Sequence, residues 1–207
     1  MIDNYSKLTI GKYLEVRDII EEGLEEIEQQ AALIAVLNDM DVEDVLDLPL
    51  GTYHKLLQSI AFLLELPSPR QAPPTKYKIG GMELESMLNI SDMSVAQFID
   101  YQTFLKDTDK YLVEMLSVFL IPKGKKYNDG YDIIEVQNVI RDNLSIIDAL
   151  SLSAFFLQWY QALTKATVTF LVRKMKRLMR KEKNMELKEK YQQAITHLEQ
   201  SGLGLQQ

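Results

Sequence analysis

Few residues of this chain carry reactive chemistry, and they are scattered. There is no cysteine, and the two histidines, His54 and His197, lie far apart in sequence, which excludes disulfides, thiolate nucleophiles and cysteine-ligated zinc. His54 stands beside Tyr53 at an expected helix start with no second histidine near it, the setting of a structural residue rather than a metal ligand. Asn128-Asp129-Gly130-Tyr131-Asp132 with Glu135 invites a calcium loop. It lacks the alternating ligands, sixth-place glycine and terminal glutamate of such a loop, and reads as a capped turn. Asp39, Asp41, Glu43, Asp44 and Asp47 offer at best a weak cation site, where carboxylates are expected at helix starts. The sequence holds no glycine-rich phosphate loop, no Gly-x-Ser-x-Gly and no His-Glu-x-x-His. No catalytic residue, metal or cofactor is expected, and the chain reads as a binding protein rather than an enzyme.

The strongest feature is instead cationic, the run Arg173-Lys174-Met175-Lys176-Arg177-Leu178-Met179-Arg180-Lys181. On a helix, Leu171, Met175, Leu178 and Met179 form an apolar stripe opposite the charges. That arrangement suits an acidic protein surface, nucleic acid or an anionic membrane, or a solvated helix packed by its stripe. Arg173, Lys174, Lys176, Arg177, Arg180 and Lys181 are therefore the candidate partner-binding residues.

What must position them is bounded by composition. The 207 residues carry a net charge of −7 and are 46% hydrophobic, enough for a core. The charge is unevenly spread, at −10 over residues 1–66, −2 over 67–169 and +5 over 170–207. An acidic head and a basic tail make head-to-tail contact between copies a natural expectation. Overall acidity, with no recognisable reading motif, makes nucleic acid a secondary expectation. The start Met1-Ile2-Asp3-Asn4-Tyr5 has neither basic residues nor an apolar run, so a cytosolic setting is expected.

Prolines mark the main boundary. Four of six fall within 67–74, a density no helix survives. The expected organisation is an acidic helical unit over 1–66, a proline-rich linker over 67–75, a second helical unit over 76–161 and a basic C-terminal helix and tail over 162–207. In the first unit, helices are expected over 11–20 with Thr9 as cap, up to Asn38-Asp39 after an acidic turn, briefly over 41–46, and over 53–64 as a mostly buried helix. Alternation around Gly80-Gly81 predicts a small hairpin near 76–84. Helices are then expected over 95–105, 110–121, 133–141, 146 to about 160, and 162–199, ended by Gly202 and Gly204. Residues 149–172 carry only Lys165 as a charge, but their serines, threonines and glutamines favour a buried core helix, kinked or broken, over a membrane span. The fold class is all-α, mainly helical.

Residues 8–16 match residues 93–101 class by class. Leu8-Thr9-Ile10-Gly11 faces Met93-Ser94-Val95-Ala96, and Tyr13-Leu14-Glu15 faces Phe98-Ile99-Asp100. Weaker correspondences follow in the same order, which suggests one helical unit used twice. These helix starts, with Leu33-Ile34-Ala35-Val36-Leu37-Asn38-Asp39 and Leu46-Asp47-Leu48-Pro49-Leu50, give residues 5–160 an arrangement that resembles phage tail assembly chaperones and related small helical phage morphogenesis proteins. The chain departs from that pattern by doubling the unit, by lacking a hairpin before the first copy and by adding the basic tail. The resemblance implies non-enzymatic binding of other phage structural proteins in the host cytoplasm during assembly. The further expectations are a homo-oligomer, no membrane association, and retention in the virion as an alternative fate.

Overall fold

Thr9 begins the first helix, and it does so through its side chain. In the computed structural model, which describes residues 1–70, 72–89, 92–108 and 110–203, the Thr9 hydroxyl oxygen accepts from the Lys12 amide at 3.5 Å as α1 (Ile10–Glu21) starts. Gly23, in the left-handed region, turns the chain into α2 (Glu26–Asn38). Ala31, Ile34, Ala35 and Leu37 of α2 are buried. Asp39 ends the helix in the left-handed conformation, its amide bonded to the Ala35 carbonyl, a role open to short polar side chains. Its carboxylate takes the Lys12 ammonium, which holds its pKa below the ordinary value. The acidic residues 41–47 form the short α3 (Val42–Leu46), with Asp41 at its cap position.

The expected buried helix over 53–64 is corrected. It is α4 (Leu50–Ser59) followed by a 3₁₀ turn (Ala61–Leu64). No residue of either is buried, and Leu64 is 90% exposed. Within the unit α4 meets α2, where the Tyr53 hydroxyl reaches Gln30 at 3.0 Å, so its apolar residues outnumber the surface available to cover them.

The proline-rich segment is held to the fold by Arg70. Its amide donates to the Ser151 hydroxyl at 2.7 Å and its guanidinium lies 3.3 Å from the Asp148 carboxylate. The expected hairpin follows as β1 (Lys76–Ile79) and β2 (Met82–Ser86), antiparallel, with Ile79 opposite Met82 across Gly80-Gly81. Next come α5 (Val95–Phe104) and α6 (Leu112–Ser117). Ser94 and Gln97 form a reciprocal capping box on α5. The helix expected over 110–121 is corrected here: it stops at Ser117, and Leu120–Pro122 is a third strand, β3, antiparallel to β2. Val118, Phe119 and Leu120 are all fully buried, and Leu120–Pro122 is taken up by pairing with β2. Pro122 also disfavours helical backbone at Ile121.

Asp132 caps α7 (Ile133–Asn143) through the Ile134 amide at 2.9 Å, and α8 (Ile146–Lys181) follows after two residues. The Ser145 hydroxyl accepts from the Asp148 amide at 3.2 Å and donates to its carboxylate at 2.8 Å. Residues 8–10 and 144–146 meet side by side in a two-residue antiparallel bridge, and α1 packs on both α2 and α7.

The chain divides into two compact units, Met1–Ser153 and Ala154–Gln207. Both sides of the proline-rich segment lie in the first, whose core is built from Leu8, Ile10, Ile34, Leu84, Leu116, Phe119, Ile140 and Leu144, each at most 1% exposed. The second holds the rest of α8 and α9 (Met185–Leu203). The fold is thus mainly helical with a small three-stranded sheet. The matched segments 8–16 and 93–101 begin α1 and α5; Val16 and Tyr101 are both buried, but Ile10 is covered while Val95 is 76% exposed.

Candidate partner-binding surface

The basic run sits on a helix that nothing in its sequence interrupts. Between Gly130 and Gly202 there is neither glycine nor proline, so the break expected near residue 161 does not occur and α8 continues to Lys181. The turn comes at residues 182–184. The Glu182 carboxylate accepts from the Lys183 and Asn184 amides, which lowers its pKa. The Asn184 side chain then accepts from the Glu186 amide at 3.0 Å and starts α9. Glu199, near the far end of α9, meets Lys176 at 3.0 Å, so α9 doubles back along α8. Gly202 lies within α9, and Gly204 lies outside the described residues.

Two faces of α8 separate cleanly in this unit. Val168, Val172, Met175 and Met179 are spaced four, three and four residues apart, the repeat of a helix seam. Val172 is 8% exposed and the other three are half-buried. Ile195 of α9 is buried at 1%. Of the expected stripe, Leu171, Met175 and Met179 are partly covered, whereas Leu178 is 42% exposed.

The opposite face carries a second seam at the same repeat: Trp159, Leu163, Ala166 and Phe170, then Arg173, Arg177 and Arg180. Trp159 is half-buried and the rest are exposed, Phe170 at 63%. Lys174 and Lys181 flank it. A shallow groove of about 440 Å³ runs along this side between Ala162, Lys165, Ala166, Thr169, Phe170 and Arg173. All six candidate cations are exposed. Lys176 is tied to Glu199, while Arg173, Lys174, Arg177, Arg180 and Lys181 have no ion pair among the described residues. The arrangement presents an apolar strip leading into a cationic one, suited to a surface that offers both apolar side chains and carboxylates.

The expectation of a buried core helix over 149–172 is corrected by this surface. Ser151, Leu152 and Phe156 are covered, but from Leu157 to Phe170 most residues face solvent. The polar residues Gln158, Gln161, Thr164, Thr167 and Thr169 carried the signal. The apolar half of the outward seam is legible as a four-three spacing, but it falls within residues 149–172, which read as a buried core helix. Among the described residues no helix is long and apolar enough to cross a membrane.

The other candidates lie on other elements of the chain. His54 is exposed on α4, with the Tyr53 ring 6.1 Å away, and His197 is exposed on α9. In the 122–131 loop, the Tyr127 hydroxyl donates to Asp100 at 2.8 Å, and burial first, then that bond, raises its pKa. Among the described residues no three His, Asp or Glu side chains gather as a metal site would require.

No protein-family model matches this chain, and no curated protein or solved structure is significantly similar to it.

Proposed function

We propose that this protein is a non-enzymatic phage morphogenesis factor that binds other virion proteins in the manner of a tail assembly chaperone, working in the host cytoplasm during particle assembly. The observation that carries the reading is the outward seam of α8. A solvent-facing strip of Leu163, Ala166 and Phe170 continues into Arg173, Arg177 and Arg180, and an amphipathic helix face of this kind recognises a partner by apolar anchors with charge to set register. The capped helix starts at Thr9 and Ser94, on which the resemblance to the chaperones rests, support the phage setting.

The test is affinity capture of the tagged protein from infected cells, with nuclease treatment and mass spectrometry of bound proteins and of purified particles. Recovery of a phage structural protein, lost in the variant R173E/R177E/R180E, is the expected result. Presence of the chain in mature particles makes it a virion component. The second reading, a nucleic-acid-binding accessory protein, is favoured by five unpaired cations clustered on one side of the helix. It requires capture that nuclease abolishes and an affinity that falls steeply with salt.

A further inference from the structure

We infer that the outward seam of α8 docks on the acidic α1–α2 corner of a second copy of this chain, so that copies join head to tail. The inference rests on reading the seam as a protein-binding surface and adds the identity of one occupant.

The seam itself restricts what can cover it. Arg173, Arg177 and Arg180 occupy consecutive positions of a four-three repeat. Two α8 helices paired in parallel would set these arginines against each other, a like-charge seam that opposes pairing. An antiparallel pairing would place them against Phe170 and Leu163 and leave guanidinium groups covered without acceptors. The occupant must therefore offer both carboxylates to the arginines and apolar side chains to the strip beside them.

Residues 20–28 of the same chain fit that description. All nine are exposed. They include Ile20 at 51%, Leu24 at 37% and Ile27 at 66% exposure, interspersed with Glu21, Glu22, Glu25, Glu26 and Glu28. Arg17 is the cation paired there, with Asp18 at 3.1 Å and Glu21 at 3.8 Å, which leaves a net negative apolar corner facing solvent. Glu22, Glu25, Glu26 and Glu28, outside that pairing, and three large aliphatic side chains complement the unpaired cations and the Leu163 to Phe170 strip of the seam. Because the two surfaces differ, the contact is heterologous, and repetition gives open chains or a closed ring.

The test is sedimentation velocity of the full chain over roughly two decades of concentration, at about 0.05 M and about 0.5 M salt, with circular dichroism confirming that each variant is folded. Wild type is expected to associate at low salt and dissociate at high salt. R173E/R177E/R180E and E22K/E25K/E28K are each expected to be monomeric. An equimolar mixture of the two is expected to associate again, because each reversed surface then meets its complement. D41K/E43K/D44K, which reverses the other acidic segment, is expected to behave as wild type.

A monomeric wild type, a corner variant that associates as wild type does, a mixture that stays monomeric, or dissociation in D41K/E43K/D44K would each overturn the inference. So would association that disappears with nuclease. Failure here is separable from failure of the proposed function: a monomeric chain that still captures a phage protein through Arg173, Arg177 and Arg180 removes the second copy and keeps the function. Self-association with nothing captured does the reverse.

Discussion

The Ile10 amide donates to the Leu144 carbonyl at 3.1 Å, and the Ile146 amide returns the bond to the Leu8 carbonyl at 2.8 Å. First-turn amides have no partner inside their own helix, and here the residues leading into each helix, Leu144 before α8 and Leu8 before α1, supply the acceptor for the first amide of the other. Leu8, Ile10, Leu144 and Ile146 are at most 1% exposed, and they come from opposite sides of the proline-rich segment. Truncating Leu144 to alanine is expected to cost roughly 2–5 kcal/mol, read by urea unfolding. The same contact predicts that a fragment of residues 1–66 lacks a stable helical circular dichroism signal, since it loses the partner of α1. A fragment that melts cooperatively would show that the first half is a folding unit of its own.

The hairpin turn distinguishes its two glycines. Gly80 and Gly81 both have positive φ, as a tight two-residue turn requires. A Cβ on Gly80 would lie 2.9 Å from the Asn143 side-chain nitrogen Nδ2 and 3.1 Å from a Val139 methyl, whereas one on Gly81 meets nothing within 4 Å. Gly81→Ala is expected to lose about 1–2 kcal/mol from backbone strain alone. Gly80→Ala should lose more, because the Asn143 and Val139 side chains of α7 must also give way. Equal midpoints for the two variants in thermal unfolding would contradict the close approach.

Glu83 gives the sheet an acid limit. Its carboxylate accepts hydrogen bonds from Lys123 and then Lys78, which pull its pKa down to about 2 from 4.5. A depressed carboxylate contributes stability that is complete above its ordinary value and is lost as pH falls through the folded one. The interval is therefore from about 4.5 down to about 2. Glu83→Gln should flatten this part of the pH dependence, and carboxyl chemical shifts should place Glu83 below the other glutamates. A titration midpoint near 4.5 would show that the two lysines do not hold it.

Beside the proline-rich segment, Tyr77 and Asp148 set an unusual pair of requirements. The Tyr77 hydroxyl and the Asp148 Oδ1 are both buried without a hydrogen-bond partner. Arg70 reaches Oδ1 at ion-pair distance, 3.3 Å, without the alignment of a hydrogen bond. Burial first, then the Asp148 charge, raises the Tyr77 pKa. Removing an unpartnered hydroxyl is expected to be neutral or to stabilise by up to about 1 kcal/mol in Tyr77→Phe, while Asp148→Ala, which strands the Ser145 cap and Arg70, should cost about 1–3 kcal/mol. Denaturation midpoints moving in the opposite order would place a bonded partner on Tyr77.

Local chemistry was legible in the sequence, and long-range coverage was not. Thr9, Asp132 and the Asn38-Asp39 stop are visible because caps and turns depend on side chains a few residues away, and Gly80-Gly81 fixed the hairpin for the same reason. The errors arise where a distant surface decides. Leu120–Pro122 pairs with β2 across more than thirty residues, which no local period reveals. The apolar residues of α4 and of α8 beyond Phe156 look like core material by composition but have too little fold to cover them. The cationic run was plain, but the four-three seam joining it to Trp159 and Phe170 becomes a surface only once Val172 is seen to be covered and Phe170 exposed.

Within the second unit, Phe170 and Ile195 are therefore expected to behave oppositely despite both being large and apolar. Ile195 is 1% exposed, and Ile195→Ala should cost about 2–5 kcal/mol by leaving a cavity. Phe170 is 63% exposed, and Phe170→Ala should stay within about 0.5 kcal/mol of wild type. Hydrogen exchange of the α8 amides over residues 168–181 should accelerate in the first variant and not in the second. The partner-capture assay should read the reverse, with Phe170→Ala weakening recovery while the fold is intact. Loss of α8 protection in Phe170→Ala would mean that this side chain belongs to the packing of the unit, and the outward seam would then no longer be available to a partner.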